Sequence, residues 1–326
     1  MPGKHLDISL DTYRYLRAGM AVIIVGLAAA VLEERSTARC FETSISAYYF
    51  TSAHSIFIAV LCALGALLII YRGSSDTEDA LLTLAGTLAF IVAMVPTRRP
   101  PDEPANLVCG RFDLPGDYHV EHGVTNNVWA VVIALFVAQT LTWWQYRRTK
   151  TAQRPSCGGA VVRVILWTIM GLGLVALIFF EPEFISLGHG VAAVTMFLAI
   201  IATVWINAFL TGRQDEAKSR HKQLYRFAYR FIAVTMFVTV LIVVASHLVL
   251  REWILVVEAL LIVEFTIYWV IQTVELWNTH SRITLLPEAD QQMLSESWTE
   301  SRRNDIAPEA PPAAGRTAAD KALRAL

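Results

Sequence analysis

Two groups of polar side chains stand inside or beside strongly apolar stretches, where an ionisable group is expensive to keep. The first lies in the apolar segment 252–276, which carries Glu258 and Glu264 with Tyr268, Gln272 and Glu275 below them at helical spacing. On a helix these positions share one face. A carboxylate at a helix centre in a bilayer costs about 2.5–3.5 kcal/mol on insertion scales, so such a stripe is expected to face a protein interior. Arg230, within the first turn of segment 227–249, is placed so that it could pair with Glu264 or Gln272. Two readings stay open: a relay for protons or a polar substrate, or a charge pair that only fixes helix packing.

The second group gathers at segment ends. His119 and His122 bracket Glu121, Glu181 and Glu183 flank Pro182, His189 opens one apolar segment, and His247 closes another. With Glu258 these are imidazoles and carboxylates, the side chains of general acid–base chemistry and of zinc sites. No HExxH spacing links any two of them and no CxxC occurs, so neither a metal nor a cofactor is expected. A further candidate is the run Ser44-Ile45-Ser46-Ala47-Tyr48-Tyr49-Phe50-Thr51. Its alternating hydroxyls suit a hairpin or short re-entrant piece at headgroup level, and its tyrosines suit an aromatic belt. Ser46 acts as a nucleophile only beside a base, for which His54 is near in sequence.

The elements that must position these groups are long apolar helices. The 326-residue chain is 55% hydrophobic and 17% charged, against about 45–50% and about 25% in soluble domains. Its net charge of -1 gives no basic field for nucleic acid. A span needs roughly 20 apolar residues. Eight segments approach this: 15–33, 51–71, 79–96, 125–145, 160–180, 188–211, 227–249 and 252–276, the first and third being short. The expected fold class is therefore all-α, a polytopic transmembrane bundle of about eight spans. The joint at Glu181-Pro182-Glu183 decides between eight and seven.

Lys and Arg fix the orientation. The two most basic connections, 146–154 and 213–226, fall on one side, which places both chain ends in the cytoplasm. The apolar stretch from Ala18 runs into Glu33-Glu34 instead of a small-residue cleavage site, so it reads as a retained span. Residues 1–285 form the membrane domain, with a long outer loop at 97–124, and 286–326 reads as a disordered cytoplasmic tail. Cys40 and Cys109 both fall in outer loops, where oxidising conditions permit a disulfide or leave two separate thiols.

The run Ser44–Thr51 also resembles a pattern found in a family of uncharacterised bacterial polytopic membrane proteins, marked by Ser-x-Ser-x-Tyr-Tyr before the second span. The likeness continues through Tyr71-Arg72-Gly73, Glu78-Asp79, Val95-Pro96-Thr97, His189, Ala192, Phe197, Tyr225-Arg226, Trp253 to Glu258, and Trp269. It covers about half of the chain. In general look the family is similar to six-helix membrane proteins of the DRAM type. The resemblance implies a multi-pass protein of a bacterial cytoplasmic membrane and carries no assigned activity. Residues 98–185 fall between the matched halves and add the long loop with two helices. The paired HxxxH of zinc-dependent membrane ceramidases is absent, and the last span has no Lys for a retinal Schiff base.

Three function classes follow. One is a non-enzymatic lipid-binding, scaffold or regulatory membrane subunit, with membrane lipid and other membrane subunits as partners. The second is a proton-coupled transporter using Glu258, Glu264 and Arg230. The third is a membrane-embedded hydrolase with its site among the outer His and Glu residues.

Overall fold

A computed structural model describes residues 2–97, 120–149, 156–219, 221–249 and 254–292. Among these residues every regular element is a helix and there is no strand. Eight α-helices follow one another: α1 (Pro2–Ala38), α2 (His54–Ile70), α3 (Asp76–Met94), α4 (Val120–Thr149), α5 (Cys157–Phe179), α6 (Glu181–Gly212), α7 (Lys222–Val249) and α8 (Ile254–Glu275). Six are long and apolar enough to cross a membrane, and apolar stretches His54–Ile70 and Gly123–Ala138 are shorter. The first span is longer than its apolar stretch suggested, because α1 continues through its polar lead and runs for 37 residues.

Large apolar side chains face outward as well as into the core, and many polar side chains of the helices are buried. On α8, Val256, Leu260, Val263, Ile267, Val270 and Val274 are all exposed, at the three- and four-residue spacing of one helix face. The opposite face buries Leu261, Glu264, Phe265, Tyr268, Trp269 and Gln272. Burial of polar groups beneath an apolar exterior is the arrangement hydrocarbon demands, and it marks an integral membrane protein.

The joint between α5 and α6 is a single residue, Phe180, whose φ of -138° and ψ of 47° leave the helical region. Pro182 then starts α6, where its missing N–H costs nothing. The two helices fold back on each other: Ile169 and Thr195 line one groove with Leu177 and Leu187, and Cys157 lines another with Trp205. Helices α2 and α3 approach closest through Gly65 and Gly86, since a Cβ on Gly86 would stand 2.5 Å from the Gly65 carbonyl oxygen. Small residues permit such backbone contact in membranes.

At the end of the bundle that carries the basic connections, a buried polar network ties six helices. Arg17 of α1 donates to the Tyr71 hydroxyl at 3.1 Å and to the carbonyls of Leu276, Thr279 and His280, which satisfies the end of α8. Gln272 donates to the same tyrosine at 2.9 Å. The Asn207 amide donates to Glu78 at 3.1 Å and to the Tyr268 hydroxyl at 2.7 Å. Arg282, in the short turn Arg282–Leu285 after α8, donates to Glu275 and to the Tyr229 hydroxyl. Burial alone would lower its pKa, but Glu275, then Tyr229 and Glu78, hold it well above the usual arginine value. A second tie joins α3 to α5: Asp76 accepts from Ser156 N–H at 2.8 Å and from Arg163 at 3.1 Å.

Residues 286–292, expected at the head of the disordered tail, are packed. Leu286 is fully buried, and Asp290 pairs with Arg213 at 3.1 Å. This segment is short and polar, and its burial comes from the α6–α7 connection it folds against. The tail from 293, the loop 98–119 and the hairpin at 250–253 lie outside the described residues.

Candidate functional site

The opposite end of the bundle holds the site. After α1 the chain reverses through residues 39–45 and enters a short 3-10 turn, Ser46–Phe50. Irregular backbone at membrane depth is tolerated only where protein satisfies its polar groups. Here α8 does so. Leu255 N–H donates to the Thr43 carbonyl at 3.1 Å, and the Ile45 N–H donates to Glu258 Oε2 at 2.7 Å. The Ser46 N–H also bonds Glu258. Ser44 Oγ accepts from the Ala47 N–H at 3.0 Å, which closes the turn locally.

This clamp aims Ser46 at α6. Ser46 Oγ lies 2.8 Å from His189 Nε2, and His189 Nδ1 lies 2.7 Å from the Val95 carbonyl oxygen. The pairing has a local cause on each side. Val95 ends α3 and is followed by Pro96, so its carbonyl is a helix-end acceptor that needs a donor. A carbonyl only accepts, so Nδ1 must carry a proton. In the neutral ring Nε2 is then the acceptor, and Ser46 donates its hydroxyl proton to it. His189 is buried.

Beside Ser46 lies a partly open apolar cavity of about 120 Å³. Leu27, Phe57, Leu61, Ala193, Phe197 and Phe265 are among its walls, and Ser46 and Glu258 supply its polar rim. Its size is comparable to the roughly 150 Å³ engineered cavities that stay dry and take up benzene. Ser46 contributes the hydroxyl on a wall that is otherwise almost wholly apolar.

No protein-family model matches the chain, and neither a curated protein nor a solved structure matches it.

The other sequence candidates fall as follows. Tyr48 and Tyr49 are fully buried core residues, not an interfacial belt, because the 3-10 turn folds them inward against α2. His54 does not serve Ser46: its Nδ1 is bonded to the Tyr49 carbonyl and its ring stacks edge-on against Tyr49. Glu181 is exposed and accepts from Thr125 of α4, and Glu183 is exposed, so neither joins His189. His119 lies outside the described residues, and His122 and His247 sit on α4 and α7 at positions whose side chains are not described. Among the described residues no group of three or more His, Cys, Asp or Glu is placed to hold a metal ion.

Arg230 is exposed on α7, whereas Glu264 and Gln272 are buried. Its neighbour Tyr229 takes the inward face instead. Glu264 is buried and accepts from the Thr239 hydroxyl at 3.3 Å. Tyr268 and Gln272 belong to the network at the basic end. Cys62 and Cys157 are free thiols, Cys40 is not free, and Cys109 lies outside the described residues.

Sequence reasoning singled out both Ser46 and His189 but not their pairing, which spans 143 residues. It missed Arg17, Asn207 and Arg282 as buried network members. The only local signal for them is polarity at the edge of an apolar segment, and basic residues there are usually solvated.

Proposed function

We propose that this chain is an integral membrane protein that binds a single-chain amphiphile in the cavity beside Ser46. The supporting observation is the cavity itself: a partly open apolar pocket with the Ser46 hydroxyl and the Glu258 carboxylate among its lining. Ligand sites share this composition, apolar walls with a few fixed polar groups that orient the ligand. The amphiphile's polar group sits at Ser46, and its chain runs among Leu61, Ala193 and Phe265. In this reading loop charge orients this end outward with both chain ends inside, and the bacterial cytoplasmic membrane follows from the resemblance of the Ser44–Thr51 run. A relay through Arg230 loses its basis, since that side chain faces outward.

The test is equilibrium binding of tritiated monooctanoylglycerol to the purified protein in detergent. Saturable binding at one site is expected, weakened at least tenfold by Ala193→Phe, which fills the cavity. Val256→Phe, on the exposed face of α8, leaves it unchanged. Absence of saturable binding, or binding indifferent to Ala193→Phe in a folded protein, overturns the reading.

A further inference from the structure

We infer that Ser46 is a nucleophile toward carboxylic esters held in this cavity, with His189 as its general base. The inference rests on the binding reading above and adds a reaction to it. Three features on different elements carry it. The Ser46 hydroxyl and His189 Nε2 are within proton-transfer distance at 2.8 Å. The Val95 carbonyl, 2.7 Å from Nδ1, holds the ring in the one neutral tautomer whose Nε2 can accept that proton. A third group that orients the base is the recurring companion of an activated hydroxyl nucleophile. Ser46 itself lines the cavity, so an acyl chain lodged there brings a carbonyl carbon to its oxygen.

A hydrogen bond that merely tied the loop to α6 would not need either the tautomer or the cavity. The loop is already tied to α8 through Thr43, Ile45 and Ser46. Glu258 is a positioning residue in this scheme: by accepting the Ile45 and Ser46 amides it fixes where the serine stands.

The chemistry balances with water as the second reactant. Ser46 Oγ adds to the ester carbonyl carbon while its proton passes to His189 Nε2. The carbon–oxygen bond to the alcohol then breaks, and His189 returns the proton to the departing alcohol oxygen. Water adds to the acyl-serine and gives a proton to His189. The bond from the acyl carbon to Ser46 Oγ breaks, the carboxylic acid leaves, and the proton returns to Ser46. The substrate class is a membrane-borne ester with a short to medium acyl chain, set by the cavity volume of about 120 Å³.

The test uses the full chain in detergent with an octyl fluorophosphonate and with monooctanoylglycerol. Peptide mass spectrometry is expected to place the phosphonyl group on Ser46, and octanoate is expected to be released. His189→Gln keeps a donor for Val95 and an acceptor for Ser46 but removes the basicity. It should slow labelling by about a hundredfold or more while the melting temperature is kept. If that variant fails to fold, the wild-type pH profile decides. General-base assistance gives a labelling rate that rises in one step with pH and levels, whereas a structural histidine gives none. Saturable monooctanoylglycerol binding with no label on Ser46 overturns the nucleophile and leaves the binding reading standing. Absence of both overturns both.

Discussion

Arg282 and Glu275 stand seven residues apart, both fully buried, with Arg282 Nη2 2.7 Å from Glu275 Oε2. The pair closes α8 and, through Tyr229 and Thr211, fastens it to α7 and α6. The short turn after α8 brings the arginine back over the helix end.

Removing one partner leaves an uncompensated buried charge, which costs about 3–5 kcal/mol. Arg282→Met and Glu275→Met should each lower the unfolding free energy in detergent by about that much. The double substitution should cost clearly less than their sum. Additive losses in thermal or denaturant unfolding would show that the two side chains act independently.

The Gly65–Gly86 approach makes a size prediction. A methyl on Gly86 meets the Gly65 carbonyl at 2.5 Å and an Ile69 side-chain carbon at 2.8 Å, so the α2–α3 contact must open. Overpacking of this kind costs about 1–3 kcal/mol, partly offset by the better helix propensity of alanine. Gly86→Ala should therefore lower the melting temperature. Gly26→Ala, with nothing within 4 Å of its added carbon, should hold or raise it. Equal effects at both positions would argue against the close contact.

Glu42 gives the protein a pH dependence. It lies between α1 and the 3-10 turn, 5% exposed, and burial with the neighbouring Glu34 pushes its pKa from 4.5 up to about 7. A raised carboxyl pKa favours the protonated folded form. Its contribution is whole below pH 4.5 and is lost as pH climbs through about 7. The expected loss is on the order of 2 kcal/mol. Melting curves from pH 4 upward should show this decline in wild type and a flatter profile in Glu42→Gln. An unchanged slope in the variant would assign the decline to another group.

The cysteines divide by accessibility to chemistry. Cys62 and Cys157 are free. A Cys40–Cys109 bridge on the outer side predicts two alkylated thiols in the denatured, unreduced protein and four after reduction. Four thiols before reduction would exclude the bridge.

Hydropathy located the eight long helices of the described residues. The joint at Phe180–Pro182 and the polar face of α8 were legible because both depend on local sequence: a proline at a helix start, and carboxylates at helical spacing. The candidate site was legible only as parts. Ser46 and His189 each stood out, but nothing near either says that a loop after α1 meets the start of α6 beside the end of α3.

That meeting depends on which helix faces pack, and packing in hydrocarbon is settled by contacts between residues far apart in sequence. The same cause turned Arg230 outward and Arg282 inward: both are arginines at the edge of an apolar segment, and only the neighbouring helices supply a buried partner. The sequence by itself therefore determined a helical membrane bundle, where its long apolar helices lie, and the polar face of α8. Tertiary structure decided which polar groups touch, because a buried hydrogen bond exists only where folding brings its two halves within 3 Å or so.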